Sequence, residues 1–148
     1  MRGDKKRSIY IDCDPGLDDA VAIALAASAP ELEISAVTTV AGNTTLERVT
    51  GNALSLCASL GIKAPVYAGA EHPLRSKPHY GTDIWGGDGL LGLKRPRRAA
   101  VPETAADFLF RSLSEAADRS ILMCLLAPLT NLAMVLGREP RLARKIDR

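Results

Sequence analysis

Four carboxylates lie within eight residues near the start of the chain. Asp12, Asp14, Asp18 and Asp19 follow the spacing D-x-D-x-x-x-D-D, with a Pro-Gly pair between them. Carboxylates this close repel one another unless a cation neutralises them or water surrounds them. Because the group offers only oxygen ligands, it favours a hard cation, calcium or magnesium, over zinc. The spacing therefore predicts a cation site in this turn.

Two other interpretations of the acidic turn remain open. Asp18 and Asp19 fit the first turn of a helix, where they would stabilise its positive end, but this leaves Asp12 and Asp14 unexplained. A phosphotransfer motif with an aspartyl nucleophile fits the first pair and leaves the second pair without a role. An EF-hand loop is excluded, because its sixth position would be leucine and its twelfth isoleucine.

The elements that must position these carboxylates alternate along the chain. Strands are predicted at 8–11, 32–40, 64–68 and 121–126. Helices are predicted at 18–29, 44–60, 103–117 and 129–136, with a further helix starting in 138–148. A capping box, Thr44 with Glu47, opens the second helix. This alternation predicts an α/β fold, a mostly parallel sheet with helices on both faces joined by right-handed crossovers.

Ligands of such a sheet bind beyond the carboxyl ends of its strands. The turns after the first, second and fourth strands, Asp12–Asp19, Ala41–Asn43 and Leu126–Asn131, are therefore predicted to form the site.

Composition excludes several classes of function. The chain has 148 residues, 47% hydrophobic and 24% charged, which is typical of one soluble globular domain. A net charge of +2 gives no reason to expect a nucleic-acid or membrane partner. The longest uncharged stretch, Ile121–Gly137, is short for a membrane span and contains Pro128. Three cysteines without zinc or disulfide spacing predict reduced, buried thiols and a cytoplasmic location.

Four segments carry a family resemblance: Asp12-Cys-Asp-Pro-Gly-Leu-Asp-Asp19, Ala36-Val-Thr-Thr-Val-Ala-Gly-Asn43, Gly86-Gly-Asp-Gly89 and Ala127-Pro-Leu-Thr-Asn131. In this order and spacing they resemble the inosine–uridine-preferring nucleoside hydrolases over nearly the whole chain. The resemblance implies a Rossmann-like fold and a calcium-dependent N-glycosidase that splits a ribonucleoside into ribose and free base. It also implies a role in purine and pyrimidine salvage, a small nucleoside as partner, and assembly as a homo-oligomer.

The resemblance implies a set of metal ligands. By the family's pattern, Asp14 would bind calcium and act as general base towards a water held by the metal. Asp19 and the backbone carbonyl of Leu126 would be further ligands, and Asp12 would support the metal shell. These residue types suit the reaction, because breaking an N-glycosidic bond passes through an oxocarbenium-like sugar that needs anionic surroundings and a positioned water.

The resemblance also implies substrate contacts. Asp18 would hold ribose hydroxyls and Asn43 would orient the nucleophilic water, although Asn43 also fits the N-cap of the next helix. Trp85 stands where many relatives have a histidine, and it would either stack on a nucleobase or anchor its loop. Ala127 replaces a usual glycine and would be strained if that backbone needs a positive φ.

The length of the chain departs from the family. Its members are single domains about twice this size, so residues 1–148 are expected to be the N-terminal portion of one nucleoside hydrolase domain. The remainder would supply another aspartate ligand and the acid that assists the leaving base. Two hypotheses follow: a nucleoside hydrolase, or a catalytically inactive remnant or interaction module of the same fold.

Overall fold

The chain forms strands β1 Arg7–Cys13, β2 Leu32–Thr39, β3 Val66–Ala68, β4 Ile121–Leu125 and β5 Ile146–Asp147. Its helices are α1 Leu17–Ser28, α2 Leu46–Ser59, α3 Ala105–Glu115 and α4 Thr130–Arg138, followed by a 3₁₀ helix, Pro140–Lys145. These come from a computed structural model, which describes residues 6–75, 80 and 98–147. All pairings are parallel, in the order β3-β2-β1-β4-β5. The predicted α/β class and parallel sheet are confirmed.

Helices cover both faces of the sheet, because successive side chains of a strand point to opposite sides. In β1, Ile9 and Ile11 are buried in one core with residues of α1 and α2. Tyr10, between them, packs into a second core with residues of α3 and α4. The buried side chains of Ile9 and Ile11 each stabilise the fold by about 1.5–3 kcal/mol. The two cores hold β1 at the centre of the sheet, and this fixes the position of the acidic turn that follows its carboxyl end.

Two predicted helix features are wrong. The N-cap of α2 is Thr45, with no side-chain cap hydrogen bond, and not Thr44 in a capping box. Thr44 is buried in the turn after β2, where its carbonyl accepts from the Gly42 amide at 3.3 Å. The stretch after α4 forms a 3₁₀ helix and a strand in place of an α-helix; α4 itself ends before Pro140, which has no N–H with which to continue it.

The amino-terminal ends of the strands carry ion pairs. Arg7 lies 2.9 Å from Asp147, and Asp118 lies 2.9 Å from Lys145. One side chain of each pair, Arg7 and Asp118, is exposed to water, so each pair stabilises the fold by about 1 kcal/mol or less. Within the described ranges, no helix is long and apolar enough to cross a lipid bilayer.

Strand β4 is less covered than β1. All five of its residues are partly exposed. On its outer side β5 pairs only with Ile121 and Leu122. Leu122 and Cys124 pack at the margin of the core under α1 and α2. All three cysteines are free thiols, Cys13 and Cys57 buried and Cys124 half-buried.

Candidate functional site

Three turns converge at the carboxyl ends of β1, β2 and β4. The Leu126 amide donates to the carbonyl of Asp12 at 2.8 Å, joining the turn after β4 to the end of β1. The turn after β2 lies against both of the other turns. A Cβ added at Gly42 would lie 2.9 Å from Asp14 Cγ and 3.1 Å from Pro128 Cδ. The structure thus brings together the three turns that the sequence singled out.

Asp12 is completely buried beneath these turns. Its Oδ1 accepts from Thr38 Oγ1 at 2.5 Å and from Asn131 Nδ2 at 2.8 Å. Its Oδ2 is also buried and has no hydrogen-bond partner among the described residues. Burial raises the pKa of this carboxyl to about 6, although the two hydrogen bonds act in the opposite direction. A buried, half-satisfied carboxylate requires a proton or a cation nearby.

Asp19 lies in the first turn of α1 and is only 4% exposed. Its Oδ2 is buried without a partner in the described part of the chain. Burial, and then the negative charge of Asp14, raise the pKa of Asp19 to about 7. Asp18, the next residue towards the N-terminus, is exposed. The N-cap of α1 is Gly16, and Asp18 and Asp19 both lie in the first turn, where the helix-end interpretation placed them. That interpretation leaves the buried, unpartnered Oδ2 of Asp19 unexplained.

Asp14 is held by Asn43. The Asn43 backbone amide donates to Asp14 Oδ2 at 2.7 Å, and its side-chain Nδ2 donates to the Asp14 carbonyl at 2.9 Å. Burial raises the pKa of Asp14 despite the hydrogen bond from Asn43. Since Thr45 is the N-cap of α2, the N-cap interpretation of Asn43 is wrong. Asn43 instead fixes the orientation of a carboxylate.

The donor chemistry of the edge fits a hard cation. Asp12 and Asp19 each present a buried oxygen without a partner, and Asp14 lies beside them. The carbonyl of Leu126 accepts no hydrogen bond from the described residues. Over the same residues, however, no three or more His, Cys, Asp or Glu side chains form a group that could hold a metal ion. The carboxylates therefore offer part of a coordination shell, and the predicted ligand set stays a prediction.

Other predicted features fall outside this cluster. Trp85 and Gly86–Gly89 lie outside the described residues. Ala127 does not adopt a positive φ. Within the described ranges, Arg119, with φ of 56°, is the sole non-glycine residue that does. The backbone strain expected at Ala127 is therefore absent.

Sequence reasoning missed two polar residues of the site. Thr38 and Asn131, both buried, donate to the same oxygen of Asp12. Both stand in the segments that carry the family resemblance, Thr38 just before the end of β2 and Asn131 at the start of α4. Both residues are polar and stand beside a strand end, which is a signal that the sequence offered. The sequence spacing, however, does not show that their partner is Asp12.

Comparison with known proteins identifies the class. Residues 9–148 match the family described as inosine-uridine preferring nucleoside hydrolase. The chain belongs to this family. Among curated proteins, it is 37% identical over 144 residues to the pyrimidine-specific ribonucleoside hydrolase RihB of Escherichia coli O9:H4. That alignment covers 96% of this chain and 46% of the relative.

Solved structures agree with the sequence comparison. The chain superposes on a plant nucleoside hydrolase, the PpNRh1 enzyme, with a TM-score of 0.85 and 35% identity, covering 96% of this chain and 46% of that one. It superposes on a purine-preferring ribonucleoside hydrolase from Gardnerella vaginalis with a TM-score of 0.86 and 28% identity, covering 95% and 46%. The chain therefore spans about half the length of the relatives it matches.

Proposed function

We propose that residues 1–148 form the N-terminal portion of a single calcium-dependent nucleoside hydrolase domain, which hydrolyses the N-glycosidic bond of ribonucleosides to ribose and free base. The observation that carries the proposal is the buried carboxylate cluster, with unpartnered oxygens on Asp12 and Asp19 at the carboxyl edge of the sheet. Family membership supports the reaction. We also propose a cytoplasmic homo-oligomer acting in purine and pyrimidine salvage.

Calcium would be held by Asp14, Asp19 and the backbone carbonyl of Leu126, with Asp12 supporting the shell. Their oxygens are the ligands that calcium prefers, and burial makes unneutralised charge on them costly. When bound, the ion supplies positive charge that lowers the pKa of a water and orients ribose hydroxyls.

Asp14 would act as the general base. Its carboxylate takes a proton from water as the water oxygen bonds to the anomeric carbon of ribose. The bond from that carbon to the base nitrogen breaks, and its electron pair leaves with the base. In the cation-free protein, burial raises the pKa of Asp14 above the ordinary carboxyl value, which makes its carboxylate a stronger base. The Asn43 amide, 2.7 Å from Asp14 Oδ2, holds the carboxylate in place while the other oxygen receives the proton.

Substrate contacts would come from Asp18 and Trp85. Asp18 is exposed at the start of α1, so its carboxylate is free to accept hydrogen bonds from ribose hydroxyls. Trp85 would stack on the nucleobase. Asn43, whose side-chain Nδ2 donates to the Asp14 carbonyl, would orient the attacking water through its remaining oxygen. One relative is named pyrimidine-specific and another purine-preferring, so the proposal is limited to ribonucleosides as a class.

The alternative is a catalytically inactive remnant or interaction module of the same fold. It is favoured by one observation, that the chain spans 46% of the relatives it matches. Such a protein would keep the cation site and lack turnover.

Ribose release distinguishes these two functions. The chain is incubated with a panel of purine and pyrimidine ribonucleosides, in calcium and in a chelator. We expect release that the chelator abolishes. We expect Asp14→Asn to lower the rate by about 10²–10⁴-fold, the usual contribution of a general base. Asp118→Asn is the matched control, because Asp118 pairs with Lys145 at the opposite edge of the sheet.

Absence of ribose release from a folded chain that binds calcium would favour the inactive alternative. Release that survives the chelator, or an Asp14→Asn variant as active as the control, would exclude the proposed mechanism. Size-exclusion chromatography with light scattering tests the proposed homo-oligomer.

A further inference from the structure

Asn131 joins three separate segments beneath the site. It lies at the start of α4 and is completely buried. Its Nδ2 donates to Asp12 Oδ1 at 2.8 Å and to the carbonyl of Thr39 at 3.0 Å. Its Oδ1 accepts from the Ala70 amide at 2.9 Å. Both amide hydrogens are therefore used, and one side chain ties together the ends of β1, β2 and β3.

The connection continues from Ala70 to the second carboxylate. The Ala70 carbonyl accepts from the Ala41 amide at 2.9 Å. Two residues further on, the Asn43 amide donates to Asp14 Oδ2 at 2.7 Å. A path of hydrogen bonds and short backbone segments thus runs from Asp12 to Asp14 through Asn131.

Close packing leaves Asn131 little freedom. A Cβ added at Gly69 would lie 2.6 Å from Asn131 Cγ, nearer than real Cβ contacts come. The backbone before Ala70 therefore lies directly against the amide group. This position is occupied by glycine because any side chain would overlap both Asn131 and the backbone carbonyl of Thr39.

We propose that Asn131 is a positioning residue that fixes Asp12 and Asp14 relative to each other, and so sets the cation affinity of the site. The proposal rests on the cation site of the proposed function. Asn131 acts on Asp12 directly and on Asp14 through Ala70, Ala41 and Asn43. Residues that orient metal ligands from outside the shell change metal affinity about 10–100-fold when they are removed.

Calcium titration by calorimetry is the first measurement. We expect Asn131→Ala to bind calcium at least tenfold more weakly than the unaltered chain. Val135→Ala is the matched control, because Val135 is completely buried one turn further along the same helix, in the apolar core. It destabilises α4 without touching the hydrogen-bond path, so its calcium affinity should stay within about twofold of the unaltered chain. Equal weakening in both variants would overturn the proposal, because stability alone would then explain the loss.

Amide hydrogen exchange, measured by NMR without calcium, tests the path independently of the cation. We expect Asn131→Ala to speed exchange at Asn43 at least tenfold. Thr38→Val removes the other hydrogen bond to Asp12 Oδ1 and should leave exchange at Asn43 unchanged. If Asn131→Ala does not fold, Asn131→Leu replaces it: leucine is close to asparagine in size and removes the donors and the acceptor together, so exchange at Asn43 should be at least tenfold faster there too.

The outcomes separate the two proposals. Unchanged exchange at Asn43 in Asn131→Ala, or in Asn131→Leu where that variant replaces it, would overturn the positioning role whether or not calcium binds. Faster exchange in a protein that does not bind calcium would support the structural path and reject the calcium site of the proposed function.

Discussion

Replacing Gly42 by alanine tests the contact between two turns of the site. The added Cβ would lie 2.9 Å from Asp14 Cγ, whereas carbon atoms in ordinary contact are about 3.5–4.0 Å apart. The overlap with Cγ is therefore roughly 0.6 Å or more, and the overlap with Asp14 Oδ2, the atom nearest to the added Cβ, is larger. Pro128 Cδ, at 3.1 Å, closes the other side. The flexible element is the Asp14 carboxylate, which must rotate away and lose its hydrogen bond from the Asn43 amide.

The loss of that hydrogen bond sets the stability that Gly42→Ala should cost. Hydrogen bonds to charged groups stabilise a fold by about 1.5–3 kcal/mol. For a domain of this size each kcal/mol corresponds to about 2–4 °C in Tm, so Gly42→Ala should lower Tm by roughly 3–12 °C. Because Asp14 leaves its place in the cluster, calcium affinity should fall at least about tenfold. Thermal melts and calcium titration by calorimetry measure the two effects.

Gly137→Ala is the matched control. Gly137 lies on the exposed side of α4, and a Cβ added there meets no atom within 4 Å. Alanine is favoured over glycine within a helix by about 0.5–1 kcal/mol, so Tm should rise slightly while calcium affinity stays unchanged. If Gly42→Ala binds calcium as tightly as Gly137→Ala, the assignment of Asp14 as a ligand is refuted.

Three further predictions follow from the described contacts. Asp19→Ala should abolish calcium-induced stabilisation while the cation-free fold becomes more stable, because it removes a buried carboxylate; unchanged stabilisation would contradict the ligand assignment. A carboxyl whose pKa is raised on folding stabilises the fold fully below its ordinary pKa of 3.8, and this stabilisation is lost as pH rises through the folded-state pKa. The raised pKa values of Asp12 and Asp19 should therefore make the Tm of the cation-free protein fall between about pH 4 and about pH 7, and make the gain in Tm from calcium grow over the same range; a constant gain in thermal melts would disagree. Thr104→Ala removes the hydroxyl that accepts from the Asp107 amide at 3.2 Å at the start of α3 and should cost about 1 kcal/mol in urea unfolding, without a change in calcium affinity.

The position of the site was predictable from the sequence. Alternating strands and helices require a parallel sheet, and the carboxyl ends of parallel strands lie at one edge. The acidic turn after β1 and the turns after β2 and β4 were therefore expected together, and the structure places them together. The position of the site was predictable because each strand and each turn that contains Gly or Pro can be recognised from its own short stretch of sequence.

The partners within the site were not predictable in the same way. Asn43 fits a helix cap in sequence, yet both of its amide groups hold Asp14. Asn131 lies 119 residues from Asp12, and no local rule pairs them. Such contacts depend on the register between β1 and its neighbours. A change of one residue in that register would turn every side chain to the other face, so only the assembled sheet determines which polar groups meet.

The short strand β5 has a consequence for association. It pairs with Ile121 and Leu122 only, so the outer backbone of the remainder of β4 has no strand partner among the described residues. An open edge offers N–H and C=O groups at the spacing that another extended segment needs. A strand added on this edge would extend the sheet on the side of β1 that already carries β4 and β5. Any segment that adds there would lie beside the turn bearing Leu126, so growth of the sheet and enclosure of the carboxylate cluster would occur on the same side of the molecule.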